Sequence, residues 1–218
     1  MNLSDVKIRV KRKFGDEAQV QINDSDIIRW VNDAQYYIVN QNETVLQKVG
    51  TADIVANQQE YTLPSDLLIL RTISMRVDST NIYYPLMGLT FQQFDSMLGG
   101  WDGNLLNKGV VGYYHVYGNL LKVYPIPSVG VSAGIKIYYS RIPTNIQNDQ
   151  DVIDLPLTYH NAVVNYCLQQ AYEQDDSSWD AAKYKNDQVT FDINQNKGRE
   201  NSNPTSTYPV ITIMPEDM

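Results

Sequence analysis

Tyr-Tyr-His-Val-Tyr-Gly-Asn-Leu-Leu-Lys-Val-Tyr (Tyr113–Tyr124) decides the fold class. Two runs rich in aromatic and β-branched residues flank Gly118-Asn119, the two-residue signal of a β-hairpin. The strand-like period extends outward on both sides. Downstream, Gly134 to Tyr139 alternates, with Ile135, Ile137 and Tyr139 on one side and Lys136 and Tyr138 on the other. Upstream, Ile69, Ile73, Met75 and Val77 with their neighbours read as a strand after Tyr61–Pro64. Thr90 is placed to cap a short helix through Leu98, followed by a loop around Gly99–Gly103.

Beyond about Thr44 on one side and Pro143 on the other, the period becomes helical. Ile27, Trp30, Val31, Ala34 and Ile38 form one face of a helix opening at Asn23 or Asp24 and running to about Gln41. Before it, Ser4 is a candidate cap for a helix ending at Phe14, with Gly15 as the stop and Leu3, Val6, Val10 and Phe14 on one stripe. After Leu155-Pro156, the residues Val163, Val164, Cys167, Leu168 and Ala171 cover more than one face, as in a helix buried on several sides. A last helix starts at Ser177 or Ser178 and passes through Ala182, Val189 and Ile193, and Asn194 to Asn203 has linker composition. The expected fold is α+β: a four-helix bundle (residues 1–43 and 155–195) interrupted by a β-rich, sandwich- or barrel-like insertion (44–154), with an extended C-terminal arm (196–218).

That arm points toward assembly. Pro209 and Pro215 bracket its apolar part and forbid a helix there. Ordering ten or so such residues costs roughly 10–20 kcal/mol of backbone entropy. Burying Tyr208, Val210, Ile211, Ile213 and Met214 returns about 7–15 kcal/mol. Alone the segment breaks even at best; pairing with a sheet edge or groove on another chain makes it worth ordering. The plainer alternative is a last strand on its own domain.

Composition narrows the function further. The chain carries 16 Tyr against 4 Phe, a choice that suits half-buried sheets and protein contacts more than a core built for stability alone. Its net charge of −8 is the wrong sign for a protein that grips phosphates. Cys167, the only cysteine, excludes an internal disulfide and reads as a buried thiol. No opening apolar run resembles a signal peptide, and no stretch is long enough to span a membrane.

No catalytic signature is present: there is no Gly-x-Ser-x-Gly elbow, phosphate-binding loop or dinucleotide fingerprint. His115 and His160 lack ligand-spaced partners and read as surface or interface residues. Asp149, Asp151 and Asp154 form an acidic cluster without the glycine and distal glutamate of a calcium loop, so a solvated loop is expected, with no metal and no cofactor. Lys7, Arg9, Lys11, Arg12 and Lys13 read as the wet side of the first helix, with DNA or an acidic partner as the alternative. Tyr83-Tyr84, Tyr113-Tyr114 and Tyr138-Tyr139 suggest an aromatic platform for glycan or single-stranded nucleic acid, the rival reading of a stand-alone binding module. Successive strand residues point to opposite faces, so only one tyrosine of each pair joins any patch.

Several segments together resemble the head-to-tail adaptor, or connector, proteins of tailed bacteriophages. They are Ile22–Gln35, Gln58–Asp66, Leu121–Pro127, Ile135–Pro143 and Asp154–Tyr166, whose order and spacing carry the likeness. The resemblance implies a non-enzymatic ring of twelve copies beneath the portal protein, at the head–tail junction of the virion. Such a ring extends the DNA channel, lets double-stranded DNA pass without specific binding, and docks the tail through a nozzle or tail-completion protein. On this reading the arm residues Tyr208, Val210, Ile211, Ile213 and Met214 reach the portal, over as much as about 60 Å when stretched. Asn161, Asn165 and Gln169, an uncharged row at i, i+4, i+8, become candidate contacts between neighbouring copies. Trp101, Gly118 and Asn119 become candidates for the tail-facing side.

Overall fold

The computed structural model describes residues 1–16, 21–77, 82–98, 108–174 and 179–201. In chain order the elements are helices α1 (Leu3–Phe14) and α2 (Asp24–Gln41), then strands β1 (Gln47–Ile54), β2 (Glu60–Thr62), β3 (Leu67–Met75), β4 (Tyr84–Pro85) and β5 (Met87–Gly88). Helix α3 (Phe91–Leu98) precedes β6 (Lys108–Gly109), β7 (Tyr113–Tyr117), β8 (Leu120–Tyr124), β9 (Ile126–Pro127) and β10 (Val131–Arg141). A 3-10 turn (Leu157–Tyr159) leads into α4 (His160–Glu173), and α5 (Trp179–Asn201) follows. Two compact units result: a helical unit of Met1–Val45 with the described residues from Pro143 onward, and a β unit of Leu46–Ile142.

In the helical unit, α1 is capped by Asn2 rather than Ser4. The Asn2 Oδ1 accepts from the Asp5 amide at 2.8 Å and the Asp5 carboxylate accepts from the Asn2 amide at 3.3 Å, a reciprocal box. Starting the helix at Leu3 also brings that side chain into the buried stripe with Val6 and Val10. Gly15 closes α1 in the left-handed region, at φ 92°. Helix α2 buries Ile27, Trp30, Val31, Ala34 and Ile38, the face its spacing predicts, and adds Gln35 and Val39.

The expected four-helix bundle is not what forms. The described residues form five α-helices and several antiparallel sheets, and one helix, α3, lies in the β unit. In the helical unit, packing centres on α4, which touches α1, α2 and α5. Side-chain distribution explains it. Helix α4 buries Ala162, Val163, Val164, Cys167, Leu168 and Ala171 around much of its circumference. Helix α5 has only the stripe Ala182, Val189, Ile193 and Asn196 to bury, enough for one neighbouring helix but not for a shared four-helix core. Residues 194–201, read as linker, continue α5: Asn196 is buried and donates to the Thr158 carbonyl at 3.0 Å.

Residues 143–155 belong with the helices. Asn32 holds Ile146 by a two-way backbone clasp (2.9 and 3.0 Å). The buried Gln35 amide donates to the Thr144 carbonyl and accepts from the Asp154 amide. Ile146, Ile153 and Leu155 are buried. The Leu3 and Ser4 amides, which a helix start leaves without intrahelical partners, donate to the carbonyls of Asp151 and Asp149 at 3.0 and 3.1 Å. Lys7 links this segment to α2, reaching Asp149 at 2.6 Å and Asp24 at 3.1 Å, and Lys11 pairs with Asp24 from the same side.

The β unit contains two four-stranded sheets, in the orders β1-β10-β3-β4 and β2-β8-β7-β5, and a small β6-β9 pair. The β1/β10, β10/β3, β3/β4, β2/β8 and β7/β8 pairs are antiparallel. The two larger sheets share one core, to which Ile54, Ile73, Ile135 and Ile137 contribute from the first and Tyr61, Leu121 and Val123 from the second. The hairpin pairs Tyr113 with Tyr124 and Tyr117 with Leu120, and Gly118 at φ 57° makes the turn. Thr90 caps α3 through its hydroxyl, as its position predicts.

Two outcomes test this packing. Leu168→Ala, at a fully buried hub position, lowers unfolding free energy by about 2–5 kcal/mol in a denaturant titration. Asp24 has its pKa lowered, first by the hydrogen bond from Lys11 and then, against the cost of burial, by Lys7. Its contribution is therefore complete above the ordinary carboxylate value of 3.8 and is lost as pH falls through the lowered folded value. Asp24→Asn lowers stability by about 1 kcal/mol or less at neutral pH, and the difference from wild type closes on the acid limb.

Candidate functional site

The residues that suggested chemistry are engaged in holding the fold. Asp151 accepts from the amides of Gln147 and Asn148 at 2.8 Å each, and the Asn148 and Gln147 bonds hold its pKa below the usual carboxylate range. Asp154 accepts from the Thr144 amide at 2.8 Å, and Asp149 pairs with Lys7. Among the described residues, no group of three or more His, Cys, Asp or Glu side chains is arranged to hold a metal ion.

Both histidines, expected as surface or interface residues, are buried inside their own units. His115 is buried in β7 with Nδ1 2.8 Å from the Leu89 carbonyl and its ring edge-on to Phe91. His160 is buried at the start of α4 with Nε2 3.0 Å from the Leu155 carbonyl, and burial pushes its pKa down. Each ring finds a backbone partner inside its own unit, which makes burial tolerable. Cys167 is buried in α4, and burial pushes its thiol pKa far up, away from thiolate chemistry. Among the described residues, no helix is long and apolar enough to cross a membrane.

The polar row on α4 divides. Asn161 is exposed. Asn165 is half-buried and donates to the Asp192 carboxylate on α5 at 3.4 Å, and Gln169 donates to Glu173 at 2.8 Å. Gly118 and Asn119 stand exposed at the hairpin tip beside the exposed side chains of Tyr117 and Leu120. Trp101 and the arm residues Tyr208, Val210, Ile211, Ile213 and Met214 lie outside the described residues.

The tyrosine pairs alternate as strand geometry requires. Tyr139 enters the core and donates to Asp66 at 2.7 Å, whereas Tyr138 is on the opposite side of β10. Tyr114 packs against the core. Tyr83 donates to the Ala133 carbonyl at 2.7 Å and carries Lys136 over its ring at 3.9 Å.

What the tertiary structure brings together instead is an open apolar groove of about 420 Å³ in the β unit, whose lining includes Ile54, Met75, Val77, Tyr84, Val110 and Val129. Val110 and Val129 are each 62% exposed, far more than buried aliphatic side chains in a finished core. The sequence analysis did not identify this surface, because its walls come from β1, β3, β4, β6, β9 and β10, which lie far apart in the chain. A signal was available: Val110 beside Gly109 and Val129 beside Gly130 put aliphatic side chains into the connections that lead to β7 and β10. With apolar walls and no built acid–base pair, the groove suits contact with a protein segment.

Residues 1–207 match the family model described as SU10 adaptor protein. No curated protein matches the chain.

If the acidic segment is structural, millimolar calcium or magnesium leaves the wild-type melting temperature unchanged. Asp151→Ala then lowers that temperature equally with and without the ions, because two backbone amides lose their acceptor. A saturable, ion-dependent rise in wild-type melting temperature contradicts this.

Proposed function

The chain belongs to the SU10 adaptor protein family, and from that premise we propose that it is a structural protein of the virion neck. In this reading, twelve copies form a ring between the portal protein and a nozzle or tail-completion protein at the head–tail junction. The observation that carries the proposal is the family match, which runs from the first residue through both units and past the end of α5.

Each part has a physical role in the ring. The segment 208–214 adds strand-like pairing to the portal, where backbone hydrogen bonds and the alternate side chains Val210, Ile211 and Ile213 supply the contact. A single such arm is weak, but a ring of them engaged together gains avidity without any one binding tightly. Asn161, exposed on α4, faces a neighbouring copy, with Asn165 and Gln169 supporting that surface from their contacts to Asp192 and Glu173. Trp101 and the hairpin tip at Gly118 and Asn119 face the tail. The charge of −8 per chain makes the ring's field repel DNA, so the genome passes without sticking.

Co-sedimentation of the purified protein with its portal, followed by imaging of the complex, tests the proposal. A ring seated on the portal is the expected result. Deleting residues 202–218 is expected to leave the melting temperature within a degree or two of wild type while abolishing portal association. A truncated protein that joins the portal at full occupancy removes the arm from the mechanism. A folded full-length protein that ignores the portal removes the ring, and a glycan or single-stranded nucleic acid that it then binds makes it a binding module.

A further inference from the structure

His160 sits where three parts of the helical unit meet. It is the first residue of α4, it follows the 3-10 turn, and its ring reaches back to the end of the returning segment at Leu155. The residue is 7% exposed. Nε2 lies 3.0 Å from the Leu155 carbonyl, so in the neutral ring Nε2 carries the hydrogen and donates it. Nδ1 is then the bare nitrogen, buried and without a hydrogen-bond partner among the described residues. A proton added to this ring therefore goes to Nδ1, where the new N–H has no acceptor.

The surroundings oppose that proton. The ring stands at the N-terminal end of α4, where the helix amides already present partial positive charge. The Met1 amine and the Arg9 guanidinium on α1 act on it as well. Carboxylates of the returning segment are engaged elsewhere: Asp154 with the Thr144 amide, Asp151 with those of Gln147 and Asn148, and Asp149 with Lys7. At this end α2 brings Asn42 to the Tyr159 hydroxyl, and α5 brings Asn196 to the Thr158 carbonyl and Lys197 to the Gln41 carbonyl. Asp33 of α2 acts further along α4, on Tyr166 and Cys167. Burial pushes the His160 pKa down, the Leu155 carbonyl offsets part of that, and the two cations add to it.

We infer that His160 makes the joint between α4, the returning segment and the start of α1 acid-sensitive: a proton on Nδ1 drives the ring out to water, and its bond to Leu155 is lost. The loss spreads because the parts are tied together. Ile153 donates to the Met1 carbonyl at 3.1 Å, and the Leu3 and Ser4 amides donate to the carbonyls of Asp151 and Asp149. Freeing the segment at Leu155 therefore loosens the first residues of the chain too. The opening is confined to the helical unit, and His115, the other histidine, lies in the β unit. Its direction with pH follows from the lowered pKa. The unfolded ring takes its proton near the ordinary value of 6.5, and the folded ring only at lower pH. Above 6.5 this group leaves stability unchanged; below it stability falls, and the fall levels off once the folded value is passed.

His160→Gln in the full-length protein tests this, since a glutamine amide still offers a donor to Leu155 yet takes up no proton. Between about pH 7.5 and about pH 5.5, the wild-type melting temperature is expected to fall by at least about 2 °C more than the variant's. Hydrogen exchange locates the opening. Protection of the Leu3, Ser4 and Ile153 amides is expected to drop about tenfold over that range in wild type, and much less in the variant. Arg9→Gln, at an exposed position, removes one opposing charge and is expected to shrink the wild-type loss. Parallel pH profiles for wild type and His160→Gln overturn the inference. So does a melting loss during which those three amides keep their protection. If His160→Gln does not fold, the wild-type ring decides: its NMR signal is expected to titrate below 6.5, and titration at or above that value overturns the inference.

Discussion

The helical unit depends on how the chain re-enters it after the β unit. Four amides begin every α-helix without an intrahelical partner, and in α1 those of Leu3, Ser4 and Asp5 find one outside the helix. Asn2 caps one, and the returning segment supplies carbonyls from Asp149 and Asp151 for two more. The Ile153 amide in turn donates to the Met1 carbonyl, so the chain's first residues and residues 149–153 lock each other. Lys7 reinforces the lock by bridging Asp149 to Asp24 on α2. With Gln35 and Asn32 holding the same segment from the other side, α4 starts where it can serve as the hub. The acidic residues that look like a possible metal site are therefore the fastening of this joint.

A hub changes what the outer helices offer. When each of α1 and α5 is held through one buried stripe against α4, its opposite side stays open. On α1 that side carries Asp5, Ile8 and Arg12; on α5 it carries Asp180, Tyr184, Asp187 and Phe191. In the β unit the shared core likewise stops short of Val77, Val110 and Val129 at the groove, leaving apolar side chains at the surface. Both units thus finish their interiors with apolar area to spare. For an adaptor, whose purpose is contact, such area is the resource from which interfaces are made.

Much of this was legible in residues close together in the chain. The faces of α1 and α2 follow from spacing at i, i+3, i+4, because side chains three or four apart share a side of the helix whatever surrounds it. Gly118-Asn119 between two alternating runs places the hairpin for the same local reason, and Thr90 marks the start of α3. Family likeness added the adaptor role, which no periodicity carries. Other features gave no local sign. Residues 194–201 are rich in amides and charge, yet remain helical, with Asn196 satisfied by a carbonyl 38 positions earlier. His115 and His160 read as surface or interface residues because their backbone partners, the Leu89 and Leu155 carbonyls, carry no sign in the sequence.

By itself, then, the sequence determined the α+β class, the principal helices and the strands that include Ile69–Met75, Tyr113–Tyr124 and Ile135–Tyr139, since each rests on a repeat of side-chain type within one or two turns or a few strand positions. Tertiary structure alone decided that α4 is the hub rather than one of four equal bundle members, and that residues 143–155 close the helical unit. It also decided which apolar side chains remain uncovered. These outcomes depend on which distant donors meet which acceptors and on how much of each helix a neighbour covers. Neither quantity exists until the chain has folded.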